Sequence, residues 1–210
     1  MKKRTLARHN KLLLAVPVAA GAAASTAHAS IVVTTLGTPL NTGMFGLVYF
    51  SLDTQQASTS YFTGVEFELF NKKNLGFPSA FNGGQMVKTG NYIVGLSYGS
   101  PISSSLTFAT GGLMDPGQAG WTSDGTHHYL GLEINSSSTP NYGWAEVSMN
   151  SDFTTTLYSF AYETTPGQSI NAGQLTSVPE PAEATLIGGL LAGSAAAFAA
   201  RRRRKAQLAA

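Results

Sequence analysis

The stretch Tyr61-Phe62-Thr63-Gly64-Val65-Glu66-Phe67-Glu68-Leu69-Phe70 decides the fold class. Val65, Phe67 and Leu69 alternate with Glu66 and Glu68, and a period of two belongs to a strand, not a helix. The pattern predicts an apolar row facing a core and an acidic row facing water.

The same alternation recurs on both sides. It predicts strands at 31–36, 44–52, 61–70, 91–98, 104–109, 128–134, 143–149 and 154–162. Turn signals separate them: Asn82-Gly83-Gly84, Gly99-Ser100-Pro101, Asp115-Pro116-Gly117, Asp124-Gly125, Ser138-Thr139-Pro140-Asn141 and Pro166-Gly167. No stretch keeps a 3.6-residue apolar period over three turns. About eight short strands at regular spacing predict an all-β fold, a single β-sandwich or jelly roll.

Composition agrees. The chain has 210 residues, only 11% charged, and no Cys. A quarter charged is usual for a globular chain, so a solvated helical bundle is excluded. The absent Cys excludes disulfides, thiolate metal sites and a Cys nucleophile. Residues 30–177 are the predicted ectodomain, rich in Ser, Thr, Gly and aromatic residues. A domain of that size buries enough surface to stand alone.

Charge is segregated. Lys2, Lys3, Arg4, Arg8 and Lys11 crowd one end, and Arg201, Arg202, Arg203, Arg204 and Lys205 the other. Between them, residues 30–177 hold three lysines against nine acids, a net charge of −6. An acidic body lacks the basic patch that nucleic acid requires, so no nucleic-acid partner is expected.

The basic ends read as addresses. Met1 to Lys11 leads into an apolar run from Leu12 to Ala24, then the small-x-small site Ala27-His28-Ala29 followed by Ser30. This is the layout of a secretory signal peptide over residues 1–29, with cleavage after Ala29. The partners it implies are the Sec translocon and signal peptidase. At the other end come Val178-Pro179-Glu180-Pro181, an uncharged run at 184–200, and the basic stop at 201–205. Seventeen residues of helix span about 25 Å, near the lower limit for a transmembrane helix. The basic stop then stays in the cytoplasm and the body outside. Pro179 and Pro181 keep the preceding peptide extended.

The order Val-Pro-Glu-Pro, short span and terminal Arg cluster, paired with a signal peptide, resembles the PEP-CTERM sorting signal of Gram-negative bacteria, here over residues 178–205. The resemblance implies recognition by exosortase, a membrane cysteine transpeptidase, a transient hold in the inner membrane, and association with exopolysaccharide and biofilm matrix. Segments within 129–173, among them Tyr129-Leu130-Gly131-Leu132-Glu133-Ile134 and Tyr142-Gly143-Trp144-Ala145-Glu146-Val147, resemble a body segment of exported proteins with this tail. That likeness implies a sheet-forming hairpin and no known activity.

Catalytic motifs are weak. Gly95-Leu96-Ser97-Tyr98-Gly99 matches G-x-S-x-G, and Asp115 or Asp124, then His127 or His128, follow in hydrolase order. The elbow needs strand, turn and helix, whereas Pro101 and a Ser-rich strand follow here. Glu66 and Glu68 share one strand face, as glycosidase carboxylates could, but same-strand acids are more often a solvated row. His127 and His128 point to opposite faces of a strand and cannot easily share a metal. No catalytic residue, metal or cofactor is expected. Trp121, Tyr142 and Trp144 are the candidate glycan contacts, set against ordinary core or hairpin packing.

The expected function is therefore a non-catalytic structural or adhesive protein, exported to the cell surface or extracellular matrix. The alternatives are a permanently anchored single-span protein, and a polysaccharide-binding or polysaccharide-active sandwich.

Overall fold

The computed structural model describes residues 30–72, 75–135 and 139–176. The predicted signal peptide, sorting motif, transmembrane segment and basic stop all lie outside the described residues, and Ser30, just past the predicted cleavage site, is the first residue described. Among the described residues no helix is long and apolar enough to cross a membrane.

The described chain is all-β. Its strands are β1 (Ile31–Asn41), β2 (Leu47–Ser51), β3 (Gln56–Ser58), β4 (Phe67–Lys72), β5 (Leu75–Gly76), β6 (Ser79–Ala80), β7 (Gln85–Thr89), β8 (Tyr92–Ile93), β9 (Gly95–Leu96), β10 (Pro101–Ile102), β11 (Phe108–Ala109), β12 (His127–Ile134), β13 (Asn141–Met149), β14 (Thr155–Glu163) and β15 (Ile170–Asn171). An eight-stranded sheet runs β1-β14-β13-β12-β7-β11, with β8 beside β7 and β9 beside β12. A five-stranded sheet runs β3-β2-β4-β5, with β6 also on β4. β10 and β15 form a separate pair.

The two larger sheets pack face to face as a β-sandwich. Val48, Phe50, Phe67 and Leu69 of the smaller sheet meet Leu130, Leu132, Val147 and Phe160 of the larger in one buried cluster. Phe50 lies in this cluster, stacked 5.1 Å from Phe67 and tilted against Phe160 at 5.5 Å. The apolar row foreseen in 61–70 is thus the core row. The β12–β13 hairpin is continuously paired from His127↔Ser148 to Ile134↔Asn141.

A second apolar cluster lies on the opposite face of the large sheet. Tyr142, Trp144 and Ala161 are covered there by Ile102 of β10 and Ile170 and Ala172 around β15. The central strands are therefore buried on both faces, which explains the near-continuous burial along β13 and β14.

Several predicted strands are shorter. The 61–70 run becomes extended β4 only at Phe67, because Thr63 and Gly64 turn, with Gly64 at φ 89°. Residues 44–46 form a turn before β2, with Phe45 at φ 63°. Residues 91–98 split into β8, which pairs with β7, and β9, which pairs with β12. The 104–109 segment keeps only β11. Strand β7 was not foreseen. Its sequence, Gln85-Met86-Val87-Lys88-Thr89, has no strict alternation, because both Met86 and Val87 are buried.

Candidate functional site

The residues expected to contact glycan are inside. Trp121, Tyr142 and Trp144 are only 1%, 2% and 1% exposed. Trp121 Nε1 donates to the Ile93 carbonyl at 2.7 Å, and Trp144 Nε1 to the Gln174 carbonyl at 3.1 Å. Tyr142 stacks 5.8 Å from Phe108. Trp121 is enclosed in the core between the sheets and Tyr142 and Trp144 in the second cluster, so none of these rings has a free side for a sugar, and this corrects the expectation.

The acidic row also needs correction. Glu66 is buried, not solvated. Its Oε2 accepts hydrogen bonds from Ser51 Oγ at 3.2 Å and from the backbone N–H groups of Leu52 and Asp53 at 2.6 and 3.3 Å. Burial pushes its carboxyl above the usual range despite those donors. Glu66 therefore ties the end of β2 to the start of β4.

Glu68 differs. It is half-buried on the outer face of the smaller sheet, and burial raises its carboxyl too. Among the described residues its carboxylate has no hydrogen-bond or ion-pair partner. The register places it in one cross-strand row, Ser58–Tyr49–Glu68–Ser79. Strand parity puts Leu47, Phe70 and Lys72 on the same outer face, opposite the core-facing Val48, Phe50, Phe67 and Leu69. Tyr61 reaches over from the preceding loop, edge-on to Tyr49 with ring centroids 5.6 Å apart, and is 69% exposed. Phe77 lies 6.4 Å from Phe70. Burial, then the nearby Glu68 charge, then Tyr61, raise the Tyr49 hydroxyl above its usual range.

The result is an aromatic platform with an unengaged acceptor. Rings give flat apolar area at little conformational cost, and a carboxylate accepts two or more hydroxyl protons. The sequence signal was parity: Phe70 falls in register with Glu68, and Tyr49 lies between two core residues.

The hydrolase-like set does not assemble. Ser97 is exposed at a turn closed by Ser100 N–H on its carbonyl at 3.1 Å, and β10 follows it instead of a helix. His127 and His128 diverge, as adjacent strand residues should. His127 Nδ1 lies 2.8 Å from Glu146 Oε1, and its ring stacks 4.1 Å from Tyr158. Ser159 Oγ donates to the other Glu146 oxygen at 2.7 Å. That order leaves the serine on the carboxylate, with no imidazole to take its proton. His128 packs 5.4 Å from Trp121 and meets Thr122 Oγ1 at 3.1 Å; burial and the neighbouring His127 lower its pKa, partly opposed by Asp124. Hydrogen bonds from Thr126 and Thr122 hold the Asp124 carboxyl down at about 2. Among the described residues no three acidic or histidine side chains gather as a metal site.

A hollow of about 450 Å³ lies among Tyr98, Gly99, Asn171, Gln174, Leu175 and Thr176. It carries no acid–base pair and borders the last described residues of the chain.

The fold and this face define an all-β sandwich with one exposed aromatic sheet face. No family model, curated protein or solved structure matches the chain.

Proposed function

We propose that the chain is an exported, non-catalytic β-sandwich protein, delivered by exosortase-dependent sorting to the cell surface or extracellular matrix, where it adheres to polysaccharide. The sorting half of the reading is supported by the leader ending at Ala29 and the tripartite tail at 178–205, with the body lying between them.

The adhesive half is carried by one observation: the unpartnered, half-buried Glu68 carboxylate lies in register with Tyr49, which Tyr61 meets edge-on. A pyranose ring has an apolar C–H face and a rim of hydroxyls. The face suits the exposed Tyr61 ring, and the rim suits Glu68 and the flanking Ser58 and Ser79. Few placed polar groups beside aromatic rings are the usual makeup of a ligand site.

Mass spectrometry of the protein from culture medium and from membranes reads both chain ends and tests the sorting. The expected result is a start at Ser30 and loss of the Arg cluster. A full-length, membrane-held chain would instead support permanent anchorage.

A further inference from the structure

Ser30, the first residue after the predicted leader, has a backbone that is already held. Its N–H donates to Glu163 Oε1 at 3.0 Å, and its carbonyl accepts the Thr164 N–H at 2.9 Å. The same Glu163 oxygen accepts the Thr165 N–H at 2.9 Å. Glu163 closes β14 opposite Ile31 in the register and is only 2% exposed. Its own carbonyl is fixed by Asn141 Nδ2 at 2.9 Å. No lysine or histidine among the described residues pairs with that carboxylate. Both of its donors are neutral amides. Buried carboxylates are normally matched by a cation, so this one lacks its counter-charge.

We propose that Glu163 is a receptor for the amino terminus that leader removal creates. The inference rests on cleavage after Ala29. Hydrolysis adds water across the Ala29–Ser30 bond: the Ala29 carbonyl carbon leaves as a carboxylate, and the Ser30 nitrogen gains protons and becomes an α-ammonium. That nitrogen stands at Glu163 Oε1 before the cut, so a neutral amide hydrogen bond becomes an ion pair without movement of either chain. Charge-assisted bonds are roughly twice as strong as neutral ones. Leader removal thereby tightens β1 onto β14 at the edge of the large sheet. An N-terminal extension of even two residues keeps the nitrogen an amide and withholds the charge.

The test uses the full-length gene product, exported and processed in a Gram-negative host. Wild type is compared with a two-residue insertion between Ala29 and Ser30, and Glu163→Gln is placed in each. Thermal unfolding should drop by about 3–6 °C for the insertion. Glu163→Gln should cost a similar drop with the Ser30 start and less than about 1 °C after the insertion, where the ion pair is already gone. Equal losses in both backgrounds, with Ser30 shown to be the first residue, overturn the receptor alone. A processed chain starting elsewhere overturns the cleavage position and the receptor with it. Should Glu163→Gln fail to accumulate, reductive methylation of the wild-type processed protein decides: the α-amine should label more slowly than in the insertion variant, and equal labelling overturns the proposal.

Discussion

The carboxylate of Glu66 accepts the backbone N–H of Leu52 at 2.6 Å, from the residue just before β4, although the alternation of the 61–70 run places it in water. Its companion contacts to Ser51 and Asp53 make it the clasp of the β2 turn. Glu66→Ala leaves those donors without an acceptor, and unsatisfied buried donors cost about 1–3 kcal/mol each. Urea unfolding of the variant should give a midpoint well below wild type.

Glu66→Gln keeps an acceptor and removes a buried charge, so it should be the milder change at neutral pH. The wild-type carboxyl is raised above 4.5 in the folded protein by burial. The fold therefore binds that proton more tightly than the unfolded chain does: the contribution to stability is full below 4.5 and is lost as pH rises through the raised value. Wild type should gain on Glu66→Gln as pH falls from neutral toward 4.5, read as a Tm difference. Asp124 runs the other way, its contribution present above 3.8 and lost as pH falls through about 2. His128 is lowered from 6.5, so it also loses stability on acidification below that value. The comparison with Glu66→Gln cancels both.

On the outer face of the smaller sheet, Tyr61→Ala and Glu68→Ala should each lower retention on the producing organism's exopolysaccharide by about tenfold, near 1.4 kcal/mol. Tyr61 is largely exposed, so its removal should leave the Tm within about 1–2 °C of wild type. Affinity electrophoresis measures the first effect and calorimetry the second. Unchanged retention in both variants would remove the adhesive assignment from this face.

Trp144→Ala should behave in the opposite manner. Its indole is buried, hydrogen-bonded to Gln174 and 5.6 Å edge-on from Tyr129. Loss of such a ring costs about 3–5 kcal/mol. The soluble, folded fraction should fall sharply, while any folded protein keeps wild-type glycan retention.

Gly143 is fixed by crowding. A Cβ there would lie 2.6 Å from the Ala161 carbonyl oxygen and 2.7 Å from a Leu52 methyl. Gly143→Ala should therefore destabilise by about 1–3 kcal/mol through overpacking, with chemical denaturation as the readout.

Period-two alternation was enough to find the fold class and the strands β12, β13 and β14, because their apolar rows are long. It misjudged Glu66 because a strand pattern reports which side a residue faces and says nothing of a turn folded over that side. It misjudged Tyr142 and Trp144 because the cover of the large sheet comes from β10 and β15, two residues each and too short to leave a period, and Trp121 because a loop residue has no strand parity to show that it packs into the inter-sheet core. The Tyr49–Glu68 row was hidden for a related reason: it runs across four strands, and the period along one strand does not give the register between strands.

Ser30 is bound at the end of β14, and Ile31 and Val33 pack into the apolar cluster beneath β10 and β15. Gln174 is bound to Trp144 on that same side. Both ends of the described body thus depart from one flank of the sandwich, and the tyrosine platform occupies the opposite flank. A body moored to a bilayer through either terminus would thus carry the Tyr49–Glu68 face on the flank away from its mooring.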